Sequence, residues 1–329
     1  MAAAAPTKTD NSMNSRWRNL LLSQEAILLF ITVLVIVFIA LRTDRFLRAD
    51  NILGQARLFM EVALMALPMT YIIITCGIDL SVGSIFGMSA IILGFLWQDA
   101  GVPLELAIVI GILAGTIAGF INGAFIVFVG VPPLIMTLAT LALYRGFALG
   151  ISEARSARGF PDWFYQVGAG DTLGIPNQVW ILVVAAIIFG IVLSRTVFGR
   201  WLYAAGNNET GARFAGIPVG RVKLTIYTLS GLMSGLAAWI FTSRISTTRS
   251  DMGTGLELDV IAAVVLGGTS IFGGSGSIWG TLIGLVLIQV LKNGLSLAGM
   301  RGDATVVVIG AILILSILVN SYIQRRFRN

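Results

Sequence analysis

Residues 104–129 read LELAIVIGILAGTIAGFINGAFIVFV, and Glu105 is the one ionisable side chain among them. A helix needs about 20 predominantly apolar residues to cross the hydrocarbon core of a bilayer, so this stretch is long enough to span a membrane. Residues 27–41 and 305–319 contain no charged side chain. Over all 329 residues, 57% are hydrophobic and 12% are charged, a composition far more apolar than that of a soluble domain. The sequence therefore predicts an all-α integral membrane protein.

The hydrophobic pattern predicts about ten transmembrane helices. Their ranges are 22–41, 58–76, 84–97, 104–129, 132–150, 179–194, 224–241, 258–272, 278–298 and 304–320. The two short ones, 84–97 and 258–272, fit broken or re-entrant helices, which a membrane tolerates only where they are buried against protein or line a cavity.

Two weak similarities between distant segments are compatible with an internal inverted repeat. Gly83-Ser-Ile-Phe-Gly87 resembles Gly276-Ser-Ile-Trp-Gly280, and Asn122-Gly123 resembles Asn293-Gly294. Transporters often contain such repeats, although glycine-rich spans also produce chance matches. Both explanations stay open.

The chain is expected to have three parts. Residues 1–21 are predicted to be a disordered cytoplasmic tail, residues 22–320 a polytopic membrane domain, and residues 321–329 a basic cytoplasmic tail. An even number of spans places both termini on one side of the membrane. Lys and Arg residues of the tails and of the loop 195–223 favour the cytoplasm as that side.

Composition also excludes several functions. The net charge is +6, but no dense Lys/Arg run with interleaved aromatic residues indicates nucleic-acid binding. The sequence has no His and one cysteine, Cys76, which excludes His-based catalysis and a Cys/His metal cluster. No catalytic constellation stands at a credible spacing. We therefore predict no catalytic residue, metal or cofactor.

Residues 206–224, GNNETGARFAGIPVGRVKL, form the most informative hydrophilic stretch. Small residues favour a short helix, Gly216 can end it, and Pro218 follows just beyond. An ordinary linker that holds positive charge is the alternative. Long loops without structure are uncommon in compact proteins, which favours the helix.

Five polar residues within or beside the spans are candidates to line a path through the membrane: Asp79, Asn122, Glu257, Asp259 and Asn293. Intramembrane ionisable groups are functional candidates by default. However, the flanking glycines favour a structural role for Asp79 as the cap of a helix that starts near Val82, and the two later acids suit the positive end of a helix dipole. Hydrogen bonding between helices is the ordinary role of each Asn.

Two further groups carry structural predictions. Gly111, Gly115 and Gly119 recur every four residues and predict a seam of close helix packing. Arg145 lies near the end of a span, where its side chain is expected to snorkel towards water.

Three stretches carry a family resemblance. Gly77-Ile-Asp-Leu-Ser-Val-Gly-Ser84, the segment Gly206–Gly216, and Gly255-Leu-Glu-Leu-Asp-Val-Ile-Ala-Ala-Val-Val-Leu-Gly-Gly-Thr-Ser270 resemble the signatures of ribose, xylose, galactose and autoinducer-2 type ABC permeases. The resemblance extends from about residue 50 to residue 320. It implies a subunit of a bacterial inner-membrane importer, working with a second permease chain, ABC ATPase subunits and a periplasmic sugar-binding protein.

The resemblance also implies a mechanism of alternating access. A coupling helix that docks on the ATPase would contain Gly206, Asn207, Asn208, Ala212, Arg213, Ala215 and Gly216. The chain itself has no ATP site, since the glycine-rich segment 267–277 lacks the Gly-Lys-Ser/Thr ending of a phosphate-binding loop.

The solute is left open by the resemblance. The loop 151–178 looks closer to rhamnose or autoinducer-2 type permeases, in which the two permease chains are often distinct proteins. The competing prediction is an ion-gradient-driven secondary transporter, for which Glu61 would be the main deep ionisable group.

Overall fold

A computed structural model describes residues 24–302 and the positions 304, 307, 308, 310, 311 and 314. The predicted tails, 1–21 and 321–329, and most of the predicted span 304–320 lie outside these residues. The helices are α1 Gln24–Arg42, α2 Ala49–Leu58, α3 Met60–Ile74, α4 Val82–Gln98, α5 Leu104–Ala124, α6 Pro133–Ser152, α7 Asp162–Ala169, α8 Asn177–Arg195, α9 Val197–Asn207, α10 Glu209–Phe214, α11 Val219–Ile245, α12 Leu256–Leu266 and α13 Ile278–Leu297. A π-helical turn, Phe125–Val129, extends α5. A small antiparallel sheet pairs β1, Asp171–Thr172, with β2, Ile175–Pro176.

The predicted all-α membrane fold is confirmed. Within the described part of the chain, six helices are long and apolar enough to cross a bilayer: α1, α5 with its π turn, α6, α8, α11 and α13. Helices α2 and α3 form a seventh candidate, bent by 49°. Large apolar side chains such as Phe30, Phe128 and Val184 are exposed on the outer helices, as expected of surfaces that face lipid.

The glycine seam of α5 packs against two different helices. An added methyl on Gly115 or Gly119 would lie within 3 Å of the α11 backbone, at Gly231 O or Tyr227 O. Gly111 instead contacts α4, at Ser89 and Leu93. Small residues let helix backbones approach closely in a membrane. The seam therefore places α11 and α4 in the centre of the bundle beside α3, most of which is buried.

The segment between α11 and α12 enters the bundle along α4. Thr248 packs on Gly94, and the carbonyls of Met252 and Gly253 occupy the space beside Gly87 and Gly83. Eleven helical residues span about 16 Å, so this non-helical segment follows most of α4. Helix α12 consequently begins part-way along the bundle, beside α4. The predicted span 258–272 is thus wrong in its bounds, because the helix ends at Leu266.

Arg145 donates hydrogen bonds to two partly buried carbonyls of this segment. Its Nη1 donates to Ser250 O at 3.0 Å and to Met252 O at 2.6 Å. Carbonyl groups removed from water need hydrogen-bond donors. Because this segment is not helical, its own backbone does not supply them as a helix would. The snorkelling predicted for Arg145 is therefore wrong.

The connections between helices collect at two ends of the bundle. We call one the Gly216 end; it comprises residues 75–77, 130–132, 208–218 and 267–277. The other, the Asp171 end, comprises residues 43–48, 99–103, 153–176 and 298–301. Ion pairs such as Arg57–Asp171 and Arg155–Asp99 join elements at the Asp171 end.

Candidate functional site

Helix α10 is a short, sharply bounded helix at the Gly216 end. Asn208 caps its start, with Oδ1 accepting the Gly211 amide at 2.8 Å. At its end, Gly216 N donates to Arg213 O and Ile217 N donates to Ala212 O, both at 3.0 Å, which is a Schellman motif. Gly216 has φ of +80°, where glycine avoids the steric cost of a Cβ. The predicted glycine-ended helix is confirmed.

One detail of that prediction is wrong. Residues 206–216 do not form a single helix, because Gly206 and Asn207 end α9 and Asn208 starts a new helix. The extended backbone of Asn208, with φ of −158°, turns the chain between the two. Its side-chain cap supplies the acceptor that the first amides of α10 need.

Glu209 joins α10 to the central helix α11. Its carboxylate accepts from Arg213 Nη2 at 2.8 Å and from Lys223 Nζ at 2.6 Å. Partial burial alone would raise the pKa of Glu209, but the hydrogen bonds and charges of Lys223 and Arg213 outweigh it and hold that pKa below its ordinary value. Glu209 is therefore ionised and paired at neutral pH.

Helix α10 has an inner and an outer face. Ala212 is buried against Ala205 and Val219, whereas Phe214 is 89% exposed. Helix α10 lies just before the first residue of α11, at the Gly216 end. The large apolar side chain of Phe214 is therefore exposed at that end of the protein. Such a residue on a capped, tied helix is suited to a pocket in a partner.

The end of α9 meets two other elements in what we call the Gly206 junction: Ile74–Cys76, Tyr203–Asn207 and Phe272–Gly276. Gly274 N donates to Ile74 O at 2.9 Å, and Tyr203 Oη donates to Gly276 O at 2.8 Å. Cys76 Sγ donates to Phe272 O at 3.0 Å.

Gly206 lies at the tightest contact of this junction. A methyl group there would lie 1.8 Å from Ile74 O and 2.6 Å from Gly274 N. Glycine is therefore required by close backbone approach. Because Ile74 ends α3 and Gly274 lies between α12 and α13, a displacement of α9 reaches all three helices.

Asp79 and Asn122 share a fully buried hydrogen-bond network. Asp79 Oδ1 accepts from Ser81 N and Oγ at 2.9 and 2.6 Å, and Oδ2 accepts from Ser230 Oγ at 2.8 Å. Asn122 Nδ2 donates to Ser81 Oγ at 2.8 Å. Asp79 thus holds Ser81, the residue that precedes α4, and ties it to α11. The cap expected from Asp79 on the first amides of α4 is not made.

Asp259 and Asn293 line a cavity of about 380 Å³, which we call the Lys292 cavity. Its lining consists of Gln55, Leu58, Phe59, Val62, Leu256, Asp259, Ala263, Leu285, Ile288, Gln289, Lys292, Asn293 and Ser296. Lys292 Nζ donates to Asp259 Oδ2 at 2.7 Å. Two of the five predicted path residues therefore come together here.

The other three predicted path residues lie elsewhere. Asp79 and Asn122 are enclosed in their own network. Glu257 Oε1 accepts the Gly255 amide at 3.2 Å, and its second oxygen lies close to Gly83. Glu257 thus points towards α4, whereas Asp259, two residues on, points towards α13, as their spacing on a helix predicts.

A sequence model of the family described as "branched-chain amino acid transport system / permease component" matches residues 51–317. The chain belongs to this family. Its identity with the ribose import permease protein RbsC of Bacillus subtilis is 41% over 290 residues, covering 87% of this chain and 89% of that protein. Identity with the autoinducer 2 import system permease protein LsrD of Yersinia enterocolitica is 36% over 318 residues, covering 92% and 96%. No solved structure matches.

Membership of this permease family confirms the resemblance carried by the three signature stretches. A permease component of a transport system is not an enzyme in its own right. The competing interpretation as a secondary transporter finds no support. Glu61, its main ionisable group, is buried and accepts from Arg244 Nη2 and Nε at 2.9 and 3.2 Å.

Sequence reasoning missed two groups of site residues. Glu209 and Lys223 were not singled out, because their pairing depends on the turn at Gly216. Gln289 and Lys292 were not assigned to the path, although they stand with Asn293 and Ser296 on one face of α13. Their three- and four-residue spacing was a usable signal.

Proposed function

We propose that the chain is the membrane-spanning subunit of an ATP-binding cassette importer in the inner membrane of a bacterium. It would move a monosaccharide or sugar-like solute into the cytoplasm without changing it chemically. Membership of the permease family supports the first part. The named cargo of the two relatives, ribose and autoinducer 2, supports a sugar-like solute. The family description names branched-chain amino acids instead, so solute class needs a direct test.

The observation that carries the proposal is the construction of α10. It is capped by Asn208, ended by Gly216, tied to α11 by Glu209 and tipped by the exposed Phe214. A lever between two subunits must be rigid in itself and must present a contact to its partner. Helix α10 meets both requirements.

Its connection to the bundle supports alternating access. A displacement of α10 would be transmitted to α11 through the Glu209–Lys223 ion pair. It would also be transmitted to α3, α12 and α13 through the contacts of the Gly206 junction. These are the elements between the Gly216 end and the Lys292 cavity. ATP-driven movement of a partner would thereby shift the cavity between the two sides of the membrane.

The proposal requires partners. An ATPase subunit would bind α10, a second permease chain of the same or a related sequence would complete the path, and a periplasmic sugar-binding protein would deliver the solute at the Asp171 end. With α10 facing the ATPase, the Gly216 end is cytoplasmic, and both termini are then expected on that side.

The test is purification of the tagged full-length chain from detergent-solubilised native membranes, followed by reconstitution. We expect an ATPase with a phosphate-binding loop to co-purify, and uptake of a sugar into proteoliposomes to require ATP hydrolysis. A chain that purifies without an ATPase and transports down an ion gradient would overturn the proposal.

A further inference from the structure

The Lys292 cavity is bordered by four helices, α2, α3, α12 and α13. Helices α2 and α3 meet in a bend at Phe59, α12 follows the non-helical segment 246–255, and α13 follows the irregular segment 267–277. Non-helical backbone at membrane depth is tolerated where it is buried or lines a water-filled cavity. Interrupted helices that meet around one space are the arrangement in which transporters place solute sites.

Polar side chains line the outer part of this space. On α13, Leu285 and Ile288 lie deeper, and Gln289, Lys292, Asn293 and Ser296 follow towards the Asp171 end. From Leu285 to Ser296 the helix rises by about 16 Å. Polar groups within spans almost always face the interior or water. The cavity is thus apolar at its base and polar at its mouth.

The side-chain amides of the cavity are paired between α2 and α13. Gln289 Nε2 donates to Gln55 Oε1 at 2.6 Å, and Asn51 and Asn293 exchange two hydrogen bonds at 2.9 and 3.1 Å. Amides offer both donors and acceptors. They can therefore give up their bonds to each other and bond to the hydroxyl groups of a solute instead, with little net loss of hydrogen bonding.

The charged groups that line the cavity balance each other. Lys292 and Asp259 form an ion pair at 2.7 Å. The positive end of α12 already has Glu257 and Asp259 in its first turn, which disfavours a further anion there. Among the described lining residues, no charge is therefore left over for the carboxylate or the ammonium group of an amino acid.

We propose that the Lys292 cavity holds the transported solute part-way through the membrane and selects a neutral, polyhydroxylated molecule through the amides of Gln55, Gln289 and Asn293. Lys292 and Asp259 form an ion pair without net charge, in which Lys292 can donate a hydrogen bond to the solute and Asp259 can accept one. This inference rests on the proposed import function, but it concerns a site and residues that the import function alone does not specify.

Water access is tested first, independently of any solute. In a Cys76→Ala background, Gln289→Cys in oriented membrane vesicles should react with a membrane-impermeant, charged thiol reagent. The matched control is Val184→Cys, on the outer face of α8, where Val184 is 58% exposed in a helix that faces lipid. Labelling at 289 and not at 184 supports the cavity; no labelling at 289, or equal labelling, overturns it.

Selectivity is tested with the purified complex in proteoliposomes. The probes are radiolabelled D-ribose, D-xylose, D-galactose and L-rhamnose as neutral solutes, with L-leucine as a zwitterion. Gln289→Leu should raise the KM of the transported sugar roughly fivefold, the worth of about one hydrogen bond. Ser194→Ala, which removes a hydroxyl bonded to Gly190 O on α8 outside the cavity, should leave KM unchanged.

The outcomes separate the two proposals. ATP-dependent sugar uptake with an unaltered KM in Gln289→Leu would overturn the cavity and leave the import function standing. ATP-dependent uptake of L-leucine alone would overturn the neutral solute class. Uptake that needs no ATP would overturn the import function, while the thiol labelling would still decide the cavity.

Discussion

Replacing Gly206 by alanine should uncouple ATP hydrolysis from transport. The new methyl group would lie 1.8 Å from Ile74 O, whereas ordinary van der Waals contact begins at 3.4 Å. The backbones of α9 and α3 must therefore separate by roughly 1.5 Å, and such overpacking typically costs about 1–3 kcal/mol. Since about 1.4 kcal/mol is a factor of ten, the equilibrium should shift about 5- to 150-fold towards an opened junction, and we expect solute uptake to fall.

The assay measures uptake and ATP hydrolysis in the same proteoliposomes. A loosened junction should lower the number of solute molecules moved per ATP while hydrolysis continues. Gly190→Ala is the matched control, because a methyl group at Gly190 meets nothing within 4 Å. The reasoning would be refuted if Gly206→Ala, inserted at the normal level, kept the transport-to-hydrolysis ratio of the unaltered chain.

Three further changes test the packing and the charges. Glu61→Gln leaves the largely enclosed Arg244 without its counter-charge and should cost about 3 kcal/mol, seen as a lower unfolding temperature in detergent; Asp251→Asn, in an exposed pair with Arg249, should change little. Gly119→Ala places a methyl 2.3 Å from Tyr227 O and should destabilise by about 1–3 kcal/mol, unlike Gly150→Ala in open space. Because Lys223 and Arg213 hold the pKa of Glu209 below its ordinary value, its ion pairs stabilise α10 at neutral pH and are lost as the pH falls through that lowered pKa. Hydrogen exchange of residues 209–214, corrected for intrinsic rates, should then show faster opening at pH 3 than at pH 6, and equal protection would contradict the pairing.

Local signals predicted the elements that depend on neighbouring residues. Uninterrupted apolar runs located most of the spans, and the Gly216–Pro218 pattern located the end of α10. The start of α10 was missed, although Asn208 is a strong cap residue. The capping Asn208 followed by an acidic residue in the first turn, Glu209, was the signal that could have separated α9 from α10.

Charges hid the true length of the central helix. The predicted span 224–241 stops short of α11, Val219–Ile245, because Arg221, Lys223 and Arg244 break the hydrophobic pattern. Two of these residues are paired by long-range partners, Lys223 with Glu209 and Arg244 with Glu61. An ion pair between positions 183 residues apart leaves no periodic trace in the sequence.

The entry of the 246–255 segment into the bundle could not be predicted from local pattern. It depends on Gly83, Gly87 and Gly94 making room on α4, and on Arg145 supplying donors from α6. The resemblance between the segments around Gly83 and Gly276 suggested a repeat, which stays a prediction. In the fold, Gly83 and Gly87 leave space for the backbone of the 246–255 segment, which is a role independent of any repeat.

The candidate path residues were likewise only partly predictable from the sequence. Membrane-depth carboxylates were recognised as candidates, but which of them reach a common space depends on how α2, α12 and α13 pack. Asp259 and Asn293 reach the Lys292 cavity, whereas Asp79 is enclosed by Ser81 and Ser230. Sequence spacing alone does not distinguish a buried structural carboxylate from one that lines a cavity.

The most direct test of the central claim is site-specific crosslinking at α10 in native membranes. In a Cys76→Ala background, Phe214→Cys is modified with a short photoreactive label; Leu173→Cys, at the Asp171 end, is the control. The two parent side chains are equally exposed, at 89% and 88%. The account predicts that the label at 214 captures an ATPase with a phosphate-binding loop and that the label at 173 does not. Capture of the ATPase from position 173, or of no ATPase from position 214 in an intact transporting complex, would contradict it.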